Sequence, residues 1–486
     1  MKSERNVSSL SEHKLYRKKG VVVAPLNDGL GERLTSSSWS RERMPEYLWL
    51  GLILMDYGRE DGLERAGKIL LDTSKKVKSL LAPSLSKIFS LSQDDQRIIF
   101  QIISEKVEPV VLSPLTILYR ESQFPEFNHF FYVQKISFEE RLERINDAIK
   151  VFSPHQSNEA TDLRFLSLAL DMFGGRIHVA SHLKDTAEAL SHYPYTSHED
   201  ERMRWYRPTV RAMEGAFGRR NGTEFSTEFW NDIGRITRCT PMSIVHKNNE
   251  IDYQAFINRF QQILTYILAS HKSESLADDK FDVILGSTAY ALKLFNEIND
   301  NGLGNNVLGR HGARTIIEVL IILKYLLKRE AATPTIWEEY KLYGIGKYKL
   351  VLLKAREVHL ADTSHFSPSV ADMLVNEIKW EEFVDVDLKY FDSQGIREKS
   401  IEVGEKQLFD LFYDYDSSFS HALWGAVRES SMLKCDNASH QYHVIPDINL
   451  SQTLPDVKPD CYDVMMKLLL LLRQTYSFPE ELMPSD

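Results

Sequence analysis

A mainly α-helical protein, built as multi-helix bundle domains with at most minor β structure in its N-terminal half, is what this sequence predicts. Three observations carry that prediction. Apolar residues recur at helical spacing through most of the 486 positions. No regular alternation of strand and helix patterns appears, so a parallel sheet with a phosphate-binding turn is not expected. The two greasiest runs, "TIIEVLIILKYLL" (315–327) and "VMMKLLLLLRQTY" (464–476), are broken by charge and fall short of the ~20 residues that cross a bilayer. They read as core helices, and no membrane partner is expected.

Taken in order, residues 1–40 are basic, then rich in Gly and Ser, and read as a flexible arm, with "GVVVAPL" (20–26) as a short strand or docking segment. A helical domain is expected over 41–245. It opens with "RMPEYLWLGLILMDYG", where Leu48, Leu50, Leu52, Leu54 and Met55 crowd together, and Leu63, Ile69 and Leu70 follow a Gly-containing turn. Further helices are expected at 94–105, 138–152, 160–173 and 178–190, and "FFYVQKISF" (130–138) has the β-branched and aromatic content of a strand. A second helical domain spans 250–478, with amphipathic helices at 252–271 and 278–298, a glycine-rich loop, and helices at 312–330, 335–360, 367–391 and 395–415. A polar, proline-bearing connector (435–460) leads to a closing helix at 461–477, and 479–486 is a tail.

Composition removes several function classes. A formal charge of −10 argues against a broad basic surface for nucleic acid, although a local cleft is still compatible with it. Cys239, Cys435 and Cys461 are far apart in sequence, which excludes a disulfide framework or a multi-cysteine zinc module and suits a reducing cytosol, so a cytoplasmic location is expected. The N-terminus lacks the apolar stretch of a signal peptide. No G-x-x-x-x-G-K-[ST] occurs, "GLGNNVLGRHG" (302–312) follows a helix and reads as a turn rather than an anion loop, and no cofactor is expected. Cys435, His440 and His443 are possible zinc ligands, but three groups in a connector with no partnering cysteine pair are too few, and no metal is expected.

Two regions offer chemistry. "ERMRWYRPTVRAMEGAFGRRNG" places Arg202, Arg204, Arg207, Arg211, Arg219 and Arg220 beside Trp205 and Tyr206. Guanidinium plus aromatic is what a single-stranded nucleic-acid groove uses, but the acidic total favours a solvated helix face paired with Glu201 and Glu214. The second region is the apolar helix 312–330, which carries Arg314 and Glu318 at i, i+4 in its first turns. They form either a structural ion pair or an Arg held by Glu and aimed into a cleft. In "YDYDSSFSHALW" (413–424), Tyr413, Ser417 and His421 share one face if the stretch is helical, whereas otherwise Ser417 or Ser418 caps a helix beginning "FSHALWGAV". Arg176 and His182 match an Arg–His spacing used by some helical ribonucleases, a pattern that chance also supplies.

"GARTIIEVLIILKYLLK" (312–328), "WEEFVDVDLKYFDSQGIREKSIEVG" (380–404) and "YDYDSSFSH" (413–421) together resemble the motifs of the bacterial domain-of-unknown-function family 5677, over roughly 260–430. These motifs are an Arg-x-x-x-Glu helix, a Trp then Ile-Arg-Glu then Gly segment, and a Tyr-x-x-x-Ser-x-x-x-His signature. The resemblance implies an all-helical domain in bacterial cytosolic proteins, some tied to stress or phage defence, with RNA, a second copy of the chain or a defence-system protein as partner. A further analogy, to the HEPN-type helical ribonucleases, implies a HEPN-like C-terminal half and a metal-independent endoribonuclease. There Arg314, oriented by Glu318, would contact phosphate, His421 would transfer protons, and Tyr413 and Ser417 would orient substrate. The alternative is a non-catalytic sensor or adaptor in which the same groups form a structural network.

Overall fold

The computed structural model describes residues 9–16, 20–24, 28, 37–179, 183–217, 223–242, 244, 246, 251–271, 278–358, 364–440 and 443–483. The chain is mainly helical, with two small two-stranded sheets among the described residues. It divides into two compact units, Met1–Pro241 with Lys434–His443, and Met242–Leu433 with Val444–Asp486.

The first unit begins with an exposed hairpin, β1 (Lys14–Tyr16) against β2 (Val21–Val23), in antiparallel register. Its core is organised by α1 (Met44–Lys76), which continues from a π-helical turn, Trp39–Arg43, capped by Ser38 accepting the Arg41 backbone N–H. Gly58, at φ +73°, kinks α1 where the sequence suggested a turn, because only glycine takes that angle without strain. Helices α2 (Gln93–Ser104), α3 (Phe138–Phe152) and α4 (Asn158–Phe173) follow. Ser137 and Glu140 form a reciprocal capping box at the start of α3. Residues 160–170 of α4 are buried on every face because α1 covers one side while α5 (Met203–Phe217) covers another. The unit's last long helix is α6 (Thr223–Ile236).

Two expectations in this unit are corrected. The stretch 130–138 is not a strand: a helix runs over Pro125–Phe131, because Pro125 starts it and Phe127 and Phe131, four apart, enter the core together. The helix expected from 178 begins only at Lys184. His182 lies outside the described residues.

The second unit packs α7 (Tyr253–Ser270), α8 (Asp279–Asp300), α9 (Val307–Arg329), α10 (Ile336–Arg356), α11 (Ile396–Glu402), α12 (Asp414–Ser420) and α13 (Lys458–Thr475). Helix α9 is central, contacting α8, α11, α12 and α13, and its buried residues Ile316, Leu320, Ile321, Leu323 and Leu326 explain why its sequence is apolar nearly all round. It starts five residues earlier than the sequence indicated. The glycines of "GLGNNVLGRHG" serve close packing: a Cβ on Gly309 would lie 2.2 Å from the Leu303 carbonyl oxygen, and one on Gly312 would lie 2.7 Å from Ile298.

The helix expected over 367–391 ends at Val375. Beyond it, Lys349 Nζ donates to the carbonyls of Glu381 (2.6 Å) and Val384 (2.8 Å), so side chains of α10, not an i→i+4 ladder, satisfy that backbone. A second hairpin, β3 (Met432–Lys434) with β4 (Val444–Pro446), places a little β structure outside the N-terminal half.

Candidate functional site

The π-helical turn Phe409–Tyr413 runs into α12, which ends at Ser420, and Ala422 then takes φ +48°. "YDYDSSFS" is therefore helix interior and C-terminus, so Ser417 and Ser418 do not cap the following helix. Tyr413 and Ser417 thereby face α9, one turn apart.

Four of the five residues singled out in these two segments meet there. Arg314 donates from Nε to Ser417 Oγ (3.0 Å) and from Nη2 to the Tyr413 hydroxyl (2.5 Å). Its Nη1 lies 3.2 Å from Glu318 Oε2, and the guanidinium sits over the Tyr413 ring at 4.5 Å. The Tyr413 hydroxyl donates onward to Glu318 Oε2 (3.0 Å). Tyr390, which sequence reasoning missed, donates to the other carboxylate oxygen, Oε1, at 2.6 Å. The "DLKYFD" motif carries that tyrosine, but nothing in its spacing points at Glu318.

All three nitrogens of Arg314 are thus engaged by protein groups, while Arg314 and Glu318 stay about a quarter exposed. Burial, reinforced by the Glu318 charge, pushes the Tyr413 and Tyr390 hydroxyls far above their usual range, so both remain protonated donors. His421 is not in this network. It follows the last turn of α12, is exposed, and makes no side-chain hydrogen bond among the described residues.

Behind the network lies a buried pair that the sequence did not reveal. Arg310, 2% exposed, donates to the Pro455 carbonyl (2.5 Å) and sits 4.0 Å from Asp416. Burial pushes the Asp416 carboxyl up to about 7, against the opposing pull of Arg310.

Glu318 and Tyr390 also open onto a cavity of about 1080 Å³ between α8, α9 and α10. Tyr290, Tyr340, Tyr343, Tyr348 and Tyr390 line it. Its charged lining is Asp282, Glu318 and Glu377 against Lys341, whose ammonium is already held by Asp279 (2.8 Å) and Asp282 (2.9 Å). Glu318 is paired with Arg314 and Asp282 with Lys341, while Lys347 and Lys399 sit over the Tyr343 and Tyr390 rings (4.8 and 5.4 Å); the groove adds Tyr290, Tyr340, Tyr348 and the carboxylate of Glu377.

The arginine-rich segment is arranged differently. Arg202 pairs with Asp200 (2.7 Å) and Arg204 approaches Glu201 (3.9 Å). Arg207 donates to Asn158 and the His198 carbonyl, and Arg211 to the Gln156 carbonyl. Tyr206 is fully buried, so it offers no face for base stacking. Arg219 and Arg220 lie outside the described residues.

Residues 281–440 match the model of a family of unknown function, DUF5677. That match contains Arg314, Glu318, Tyr390, Tyr413, Ser417 and His421. No curated protein and no solved structure matches the chain.

Proposed function

We propose that this chain is a non-catalytic helical sensor or adaptor, of the kind expected in bacterial stress or defence responses, whose second unit recognises a cationic group. The observation that carries this reading is the groove of five tyrosines and three carboxylates with one pre-paired lysine. Tyrosine faces attract an ammonium or guanidinium through the ring quadrupole, and Glu318, held rigid by Arg314, Tyr413 and Tyr390, supplies a fixed acceptor at the groove wall. A polyanion such as RNA would meet repulsion there. In this reading Arg314 is a positioning residue, since its nitrogens serve Ser417, Tyr413 and Glu318 rather than a phosphate.

The cation is either a small organic amine or a lysine or arginine side chain of a partner protein. Thermal-shift and calorimetric titration with spermidine, with Lys- and Arg-containing peptides, and with nucleotides and short RNA separates these cases. Stabilisation by the cations alone is expected, lost in Tyr348→Ala and Glu377→Gln, with the amine or peptide arm identifying the source. Stabilisation by RNA or nucleotides only, or RNA cleavage in EDTA that His421→Ala abolishes, would overturn the reading in favour of an endoribonuclease.

A further inference from the structure

The ten residues Lys434–His443 belong to the first unit, though the chain on either side belongs to the second. The described residues 435–440 and 443 lie between β3 and β4, where the Cys435 N–H donates to the His443 carbonyl at 3.2 Å. Within the unit they lie along the segment that follows α6: Pro241 bridges Cys435 in antiparallel fashion, and the Asp436 N–H donates to the Thr240 carbonyl at 2.7 Å. That pairing brings Cys239, Cys435, His440 and His443 together, with one potential ligand atom from each and all four within 4.8 Å of one another.

We propose that these four residues bind a structural zinc ion. The spacing carries the proposal first. Cys239 Sγ lies 3.5 Å from His440 Nδ1 and 3.6 Å from His443 Nδ1, and Cys435 Sγ lies 3.4 Å from His440 Nδ1. A tetrahedral ion with Zn–S near 2.3 Å and Zn–N near 2.0 Å has sulfur–nitrogen edges of about 3.5 Å. With three of their four sulfur–nitrogen separations at that length and all four atoms within 4.8 Å of one another, two thiols and two imidazoles fit a Cys2His2 site, the mixed sulfur and nitrogen set that selects zinc.

The surrounding hydrogen bonds make the same case independently. Thr237 Oγ1 donates its single proton to the Ile233 carbonyl (2.7 Å) and lies 2.8 Å from His440 Nε2, so it accepts from that nitrogen. His440 therefore carries its proton on Nε2 and turns the bare lone pair of Nδ1 towards both sulfurs, as a metal ligand must. The Thr240 backbone N–H donates to Cys435 Sγ (3.4 Å) and helps fix the position of that sulfur. Residues 435–440 are pre-positioned by Asn437, which donates to the Arg238 carbonyl (2.8 Å), and by Ser439, hydrogen-bonded to Asn146. A cavity of about 580 Å³ reaches Cys239, His440 and His443 and provides an entry path. Four protein ligands leave no open coordination position, so the ion's role is to lock these polar residues onto the segment after α6 rather than to activate water.

The untagged full chain, purified under reducing conditions from zinc-supplemented cells without chelator, should contain about one zinc per chain by mass spectrometry of the metal. Cys239→Ser combined with His443→Ala should lose most of it, while His421→Ala keeps it. Because those variants could misfold, Co²⁺ titration of the metal-stripped wild type gives a separate readout. Sulfur-to-cobalt charge-transfer bands and intense tetrahedral ligand-field bands are expected, displaced by zinc. Wild type that is zinc-free and gives no such cobalt spectrum would overturn the proposal. So would full metal content in the double variant, or a Cys239–Cys435 disulfide in the reduced preparation.

Discussion

Arg314 contributes a charge that three protein partners hold in place, and its removal has a calculable consequence. Arg314→Ala leaves Glu318 facing only tyrosine donors, and with the site about a quarter exposed, a loss of about 1–3 kcal/mol is expected in urea unfolding. His421→Ala should change stability by less than about 0.5 kcal/mol, since the exposed ring packs on nothing in the network. Equal losses for the two would contradict this placement. Asp416 makes a pH prediction. Its unfolded carboxyl ionises near its ordinary value of 3.8, whereas the folded one keeps its proton to about 7. Between those values the native state binds more protons than the unfolded state, so stability falls as pH rises through that window. Arg310, Glu429 and Asp460 are the charged groups acting on it, and Asp460, also raised by burial, slopes the same way. Asp416→Asn should therefore gain on the wild type by roughly 2–4 kcal/mol between about pH 4 and pH 7.5. Parallel stability–pH profiles would refute this assignment.

Among the elements, α9 shows what local patterning conveys and what it omits. Its apolar coverage and its Arg-x-x-x-Glu spacing were legible, because helical periodicity is a property of neighbours along the chain. Its true start at Val307 was not, since "GLGNNVLGRHG" reads as a loop until Leu303 and Ile298 are seen against Gly309 and Gly312. Gly309→Ala is consequently expected to destabilise the second unit by about 2 kcal/mol or more, because the clashing atom is backbone and cannot rotate away. A melting temperature unchanged from wild type would show that the helix start yields freely. The same limit applies to 376–391, expected as the second half of a helix over 367–391. Its backbone is satisfied by lysines on α10, a solution that no local pattern encodes. At the other extreme, α3 occupies the residues its pattern marks out, 138–152, because capping box and apolar face are both written locally.

For the molecule as a whole, composition and periodicity were enough to establish a mainly helical chain with no helix long and apolar enough among the described residues to cross a membrane. They also exposed the Arg–Glu and Tyr–Ser–His segments as polar marks on apolar helices. The partners of those marks lie beyond local reach: Arg314 meets Ser417 across 103 positions, and Cys239 meets His440 across 201. Three separated cysteines argued against a zinc module, yet two of them converge with two histidines once residues 435–440 and 443 fold back beside the segment after α6. Helix content follows from nearest-neighbour patterning, which a linear sequence states directly. Whether an arginine faces a phosphate or a tyrosine, and whether four scattered ligands share one point, depends on how packed elements bring distant side chains together, and only the folded chain decides that.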